Sequence, residues 1–594
     1  MRHAPSAGTF PRNRAVAVAG ALVALALAGP AAAQTGGVGI GGPGVVETPA
    51  LVEGQPVGEV RVLARGAPEG EATLLAEQAR RAFGFAPGTP FNALLAEIGL
   101  GRVRALEGVR DASWRLLRGT DGEAVAVELR IDAGPARAAA TGMLAPGGGL
   151  RDFPIIHKDD RSLLRFTLNG GVGLFSEGQP WFGRPGTFTR RNPLVADPAR
   201  GAGTGARATW VETYVEYGIG GATRVADSPF YVYGAVSGIS IITAGQDIFR
   251  ANTRASTDVE KLYGGVIYAP SGSDLRINAS IGRQNFTLND GFLVSQYGSQ
   301  SNAGPRPGIG LAPRTTHDMA ALVTAKWGNW VLKGFYLDPN EYEPIESNTR
   351  LVGANLRYNF ASGFQVDGTV MHVPNSDTRY AVPAGPSLRR EGLTTYAGHV
   401  RWSNRAVLPG VWLEAELAHQ THARFPMSAW AGYGLAGYHA RDLPWTPSLS
   451  YRYAAFSGDD PTTARYERYD PLWSGGLNEW LQGITINKVL SQANRTTHRV
   501  RLNVTPLEGT HITLDWFLHR ASSTNNRGGN PSLATLRSAD LGQEWQLILR
   551  SALSKNFYFV GVASVALPGA ALRDAAGGSA KPWTSLQAQL FWFL

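Results

Sequence analysis

The chain has 594 residues, no cysteine, a formal net charge of +9, and 73 Gly, 15 Trp, 19 Tyr and 23 Phe. Without cysteine, disulfides cannot stabilise it, and after the N-terminal region no stretch approaches the roughly 20 continuous apolar residues of a membrane-spanning helix. The modest positive charge does not by itself choose a partner.

Arg2, Arg12 and Arg14 precede an apolar run from Ala15 to Gly29, and Ala31-Ala32-Ala33 stands before Gln34. This basic, apolar, small-residue order predicts a secretory signal peptide over residues 1–33 and an exported mature protein. Residues 34–56 are rich in Gly and Pro and lack periodicity, as expected of a flexible leader.

Residues 57–134 read as a compact α+β domain. Glu59 to Leu63 alternates as a strand, and Glu71 to Phe83 carries helical spacing at Leu74, Leu75, Ala79 and Phe83. Gly84 and Pro87-Gly88 break that helix, and Phe91 to Leu106 resumes one. Val109 to Leu117 and Ala124 to Ile131 read as two closing strands joined by Gly119-Thr120-Asp121-Gly122. The order β-α-α-β-β, with Phe85-Ala86-Pro87-Gly88-Thr89-Pro90-Phe91-Asn92 between the helices and Leu106-Glu107-Gly108-Val109 before the second strand, resembles a polypeptide-transport-associated (POTRA) domain. The resemblance implies a periplasmic location and a strand edge on which a secretion-machine partner docks.

Residues 135–160, with Pro146-Gly147-Gly148-Gly149, read as a linker. From Arg161 to the end the pattern is all-β, with about eighteen alternating segments, an even number as a single-chain bacterial barrel needs. Ile277, Ala279 and Ile281 oppose Arg276, Asn278 and Ser280; Leu356 and Tyr358 oppose Asn355 and Arg357; Leu514 and Trp516 oppose Thr513 and Asp515. Leu586 to Leu594 alternates in the same way, and its aromatic end resembles the closing strand of an outer-membrane barrel, which doubles as an assembly signal. Gly328-Asn329, Ser362-Gly363, Pro409-Gly410, Glu508-Gly509 and Ser554-Lys555 mark tight turns. Longer polar stretches between the other pairs are expected as outer loops. The expected fold is therefore mainly β: a transmembrane antiparallel barrel over residues 161–594, behind a small α+β domain. A soluble sandwich would need polar outer faces, and these are apolar and aromatic.

Lipid-facing Arg or Lys near the bilayer midplane costs about 2–4 kcal/mol, so the alternation sends charge inward. The inward basic set is Arg165, Arg276, Lys326, Lys333, Arg357, Arg401, Arg452, Arg499, Arg501 and Arg550. The inward acids are Glu212, Glu216, Asp318, Asp367, Glu414, Glu416, Asp515 and Glu544. Arginine forks bind carboxylates at two points, and a succession of weak sites could hand an anionic polymer along the pore. A porin whose lumen charges pair among themselves fits the same residues.

Particular words narrow the choice. Ile281-Gly282-Arg283-Gln284 followed by Asn289-Asp290-Gly291 resembles the "GRQ … DG" strand and loop of the alginate export family. Tyr451-Arg452-Tyr453 leads into Ser457-Gly458-Asp459, similar to that family's "SGD" strand end. Tyr469-Asp470-Pro471-Leu472 resembles its "FDPL" loop, and Gly542-Gln543-Glu544 and Pro568-Gly569 its penultimate hairpin. The resemblance implies an eighteen-stranded outer-membrane barrel exporting an anionic exopolysaccharide through an arginine-lined conduit. Within matched words it places Arg283 and Glu544 on the substrate path. The POTRA-like domain departs from that family's usual form.

The expected partners are an anionic polysaccharide, outer-membrane lipid and a periplasmic secretion component; no nucleic acid, cofactor or metal is expected. Two other readings stay open: a POTRA-barrel protein secretion or assembly pore, and a passive anion-selective porin. Against the first, no Arg-Gly pair is followed by an aromatic residue. An enzyme is not expected: His498, His511 and His519 lie near Asp515, but no serine stands in a signature with them.

Overall fold

The structure, a computed structural model, describes residues 57–593 apart from 67–68, 90, 105, 119–124, 135–154, 159–160, 190–205, 251, 271–272, 296–303, 381–387, 404–406, 475–479, 508 and 555. The expected signal peptide and leader, and most of the expected linker, lie outside the described residues.

The first domain consists of β1 (Val57–Arg65), α1 (Glu69–Phe83), α2 (Ala93–Arg104), β2 (Val109–Arg118) and β3 (Val125–Ala133). Its sheet runs β1-β3-β2, with β3 parallel to β1 and antiparallel to β2. Leu75, Ala79 and Phe83 recur every four residues and bury one stripe of α1 against Phe91, Val103, Leu116, Leu129 and Ile131. Leu74, one position off that stripe, is exposed. Glu128 is buried in the sheet and accepts from Arg115 Nε (2.7 Å) and Arg130 Nε (2.8 Å). Burial alone would raise its pKa, but the two guanidiniums hold it below the usual carboxylate range.

Within the expected linker, Ile155–Lys158 forms a short strand, β4. The barrel then opens with β5 (Ser162–Gly178), β6 (Arg207–Arg224), β7 (Phe230–Gly245), β8 (Arg254–Tyr268) and β9 (Arg276–Arg283). It continues through β10 (Met319–Trp327), β11 (Trp330–Asp338), β12 (Arg350–Asn359) and β13 (Phe364–Asn375). A small loop hairpin, β14 (Arg379–Tyr380) and β15 (Leu388–Arg389), precedes β16 (Leu393–Trp402), β17 (Val411–His422), β18 (Ala429–His439) and β19 (Ser448–Phe456). The last strands are β20 (Arg495–Leu507), β21 (Thr510–Arg520), β22 (Asp540–Ala552), β23 (Phe557–Pro568) and β24 (Trp583–Phe593).

Strands β5–β13 and β16–β24, eighteen in all, pair antiparallel in order, and β24 pairs with β5 to close the barrel. That ladder runs from Thr584↔Gly178 to Phe593↔Asn169, and β4 takes over lower on β5 at Leu163–Arg165. Closure leaves no strand edge in lipid, where an unpaired backbone group costs several kcal/mol. The faces follow the alternation: Ile281, Leu356, Leu514 and Leu586 are exposed outward, while Arg357, Asp515 and Phe591 are buried inward.

Tight turns at 328–329 and 360–363 lie at the end where the first domain enters the barrel. The long loops lie at the other end. They do not simply stand outside as expected from their polarity: several fold back into the lumen. Phe292 packs on Tyr433, Phe456 and Trp480, and Trp181, Phe182, Ile486 and Leu533 join a second buried cluster with Trp583. Aromatic side chains within otherwise polar loops supply the area that holds them there.

Candidate functional site: the loop-filled lumen

A chain of polar contacts crosses the lumen from β12 to β19. Asp367 Oδ2 accepts from Arg357 Nε (3.0 Å) and Nη2 (2.8 Å), and Oδ1 accepts from Asn355 Nδ2 and Asn289 Nδ2, both at 2.8 Å. The His399 ring bridges Asp367 (2.8 Å) and Glu414 (2.9 Å). Tyr433 Oη lies 3.0 Å from Glu414 and 2.9 Å from Asp290, which also accepts from Trp480 Nε1 at 2.9 Å. The Arg452 guanidinium sits 4.0 Å from the centre of the Trp480 ring. Asn289, Asp290 and Trp480 belong to infolded loops, so the network ties six strands and two loops into one block.

Other lumen carboxylates hold loops by their backbone. Glu544 Oε1 accepts from the Ile484 (2.8 Å) and Thr485 (3.2 Å) amides, and Oε2 from the Ile486 amide (2.9 Å). Gly483 has φ +103°, and a Cβ there would lie 2.8 Å from Glu544 Oε2, so the close approach needs glycine. Glu212 accepts from the Gly310 and Leu311 amides at 2.7–3.0 Å, and Glu260 from the Thr315 amide at 2.9 Å. A carboxylate that accepts two or three amides satisfies loop donors that would otherwise be buried without water.

The expected path residues take distinct positions. Arg357 is committed to Asp367; Arg499 Nε (3.0 Å) and Arg501 Nη2 (2.8 Å) to Asp515; and Arg283 to Asp318. Arg401 stands opposite Glu414, and Arg550 opposite His511. Arg165 lies low on β5 where β4 pairs with it. Lys333 is buried on β11. Arg276 and Lys326 face each other across β9 and β10. Glu544 is fully buried against its loop. Asp515 accepts from Arg499 and Arg501, and Tyr451 Oη lies 2.8 Å from His498 Nδ1 on the outer face. The sequence reading missed His399, although its parity with Arg401 places it inward. It also missed Asn289, Trp480 and Arg102, whose lumen roles have no periodic signal.

The first domain enters the short-turn end of the barrel. Arg276 Nη2 donates to the Arg81 carbonyl (3.4 Å), Arg81 Nε lies 3.8 Å from Asp274, and Asn92 Nδ2 donates to Tyr263 Oη (3.4 Å). Leu95 packs on Tyr231, Tyr233 and Ile267, and Arg102 lies 5.6 Å from the centre of the Tyr231 ring. Between the helices, Gly88 (φ +85°) comes so close to Arg357 that a Cβ would lie 2.4 Å from its Nη1. A chain lacking residues 57–134 is therefore expected to show severalfold higher single-channel conductance in a planar bilayer. An unchanged conductance would show that the domain does not obstruct the mouth.

The alginate export family matches this chain over residues 244–584. Among solved structures, the outer membrane protein opdK from Pseudomonas aeruginosa is similar at 10% identity and a TM-score of 0.45, over 72% of this chain and 98% of that one. A BenF-like porin from Pseudomonas fluorescens Pf-5 is similar at 10% identity and 0.44, over 73% and 98%. OccK8 (OprE) from Pseudomonas aeruginosa is similar at 8% and 0.43, over 72% and 98%. No curated protein matches the chain in sequence. The family match begins in β7 and ends in β24, so it takes in most of the closed barrel and most of the loops that fill it, and the chain is an outer-membrane pore that belongs to the alginate export family.

Proposed function

We propose that this pore exports an acidic, alginate-like polysaccharide from the periplasm, with lumen arginines and lysines receiving its carboxylates in succession. The observation that carries the reading is the family match across residues 244–584. The loop-filled lumen supports it, because a narrow conduit suits one extended chain better than free exchange of small solutes. Arg165, Arg276, Arg283, Lys326, Lys333, Arg357, Arg401, Arg452, Arg499, Arg501 and Arg550 form the basic set along this path, and Glu544 holds one loop that shapes it. Each contact has to be weak enough to release the polymer; pairing with Asp318, Asp367 and Asp515 weakens the grip of the arginines it engages. The POTRA-like domain would bring the periplasmic component that delivers the polymer, with a free strand of its sheet as the docking edge.

Single-channel recording tests this against the porin reading. The expected record is a small current in simple salt, blocked by oligomannuronate and indifferent to a neutral glucan of the same length. A large ohmic current that the uronate does not block would overturn export and favour a passive porin. A current blocked by an unfolded polypeptide and not by the uronate would favour protein secretion.

A further inference from the structure

A cavity of about 120 Å3 lies between the first domain and the inner wall of the barrel. Phe91 and Asn92 line it from the domain, and Tyr263 from the wall. Besides Lys261, which is paired with Glu216 at 2.9 Å, three cations reach it: Arg102 from α2, Arg276 from β9 and Lys326 from β10. No Asp or Glu is among its lining residues.

The cations are poorly neutralised. Arg276 and Lys326 are direct cross-strand partners, and like charges directly opposite each other destabilise a sheet. Lys326 has no hydrogen bond or ion pair among the described residues, and Arg102 Nε and Nη1 and Arg276 Nε are buried without hydrogen-bond partners. Arg276 Nη1 donates to the carbonyls of Pro270, Ser273 and Leu275, which are neutral acceptors. Asp274, just before β9, faces Arg81 at 3.8 Å. Burial, and next the charge of Arg276, lower Arg102 to about 10, so it is still cationic at neutral pH. Folding gathers three positive groups here with no carboxylate in the cavity lining, Asp274 acting on Arg276 and Lys326 from outside it, although a buried charge without a close partner is costly.

We infer that this cavity is a binding site for one carboxylated sugar unit at the periplasmic mouth, with Arg102, Arg276 and Lys326 taking the carboxylate and Phe91 and Tyr263 taking the faces of the ring. The inference rests on the export reading and adds to it the place where the polymer is first held. The site is built jointly by both domains, so a bound carboxylate joins the POTRA-like domain to the barrel wall. Asn92, which already donates to Tyr263, lies within the same cavity and can serve a sugar hydroxyl.

Equilibrium binding of tetramannuronate to the detergent-purified full chain tests the site, with carboxyl-reduced tetramer and inorganic phosphate as comparison ligands and current block by tetramannuronate recorded in parallel. The wild type is expected to bind the uronate at least tenfold more tightly than either comparison ligand. Arg102→Gln and Lys326→Gln are each expected to weaken uronate binding about tenfold. Lys326→Gln also removes a like-charge pair and is expected to leave the unfolding temperature equal or higher, which a merely structural lysine would not do. Undiminished uronate binding in both folded variants, with current block retained, overturns the site and leaves export standing. Phosphate binding as tight as the uronate overturns the sugar assignment. A wild type that neither binds the uronate nor is blocked by it overturns the export reading, and the site with it.

Discussion

Asp367→Ala is expected to destabilise the barrel by about 3–5 kcal/mol, the cost of leaving one partner of a buried ion pair without the other. Arg357 would lose both of its 2.8–3.0 Å bonds to that carboxylate, His399 one of its two carboxylate partners, and Asn355 and Asn289 an acceptor each. The readout is the denaturant concentration at which the heat-modifiable, folded band disappears from an electrophoresis gel. The double variant Arg357→Met with Asp367→Leu should recover part of the loss, because it removes the guanidinium that the single variant leaves without its carboxylate, while Asn355 and Asn289 still lack their acceptor. A single variant as resistant as wild type would show that the network is not a structural tie.

Glu544→Ala is expected to free the loop at residues 483–486 and turn a quiet current into a flickering one of higher mean conductance. Three amides lose a charged acceptor at 2.8–3.2 Å, and bonds to charged groups contribute about 1.5–3 kcal/mol each. Glu544→Gln keeps one acceptor oxygen and should fall between the two. Gly483→Ala attacks the same contact from the loop side, since its Cβ would meet Glu544 Oε2 at 2.8 Å in a left-handed conformation. Steady wild-type currents in both Glu544→Ala and Gly483→Ala would mean that this loop does not bound the conduit.

These variants bear on how the lumen is divided between structure and transport. Glu212, Glu260 and Glu544 serve loops; Asp367 and Asp515 serve arginines. Arg102, Arg276 and Lys326 are served by no acid in their cavity. In the proposed export, these cations at the mouth would be the first that a polymer arriving from the periplasm meets. Deeper in, the proposed export would have paired arginines exchange an aspartate oxygen for a uronate oxygen of the same chemistry. Such an exchange costs little and holds loosely, as a conduit requires.

Much of this was legible before any coordinate. A period of two is a local property, so Leu356 and Arg357, or Leu514 and Asp515, declare their faces without knowledge of their neighbours. The tight turns at Gly328, Gly363 and Gly410 follow from backbone conformations that glycine adopts readily, and all three have positive φ. The β-α-α-β-β order of the first domain follows from the same local patterning. Leu74 misled because helical spacing alone does not say which of two adjacent leucines lies on the buried stripe.

The sequence by itself determined the barrel, its strand faces, the inward direction of its charges and the small domain ahead of it. Only the tertiary structure decided which of those charges meet. Arg357 meets Asp367 because the β12–β13 register places them opposite, but Asn289 and Asp290 reach the same network from a loop that reads as outer and polar. Arg102 joins Arg276 and Lys326 although some 170 residues separate it from Arg276, through a docking that no periodicity encodes. Alternation is written into each strand, whereas pairing across a lumen depends on closure, register and loops folded back on aromatic anchors. For that reason the sequence showed a lumen rich in charge, and the folded chain showed which of those charges pair with one another.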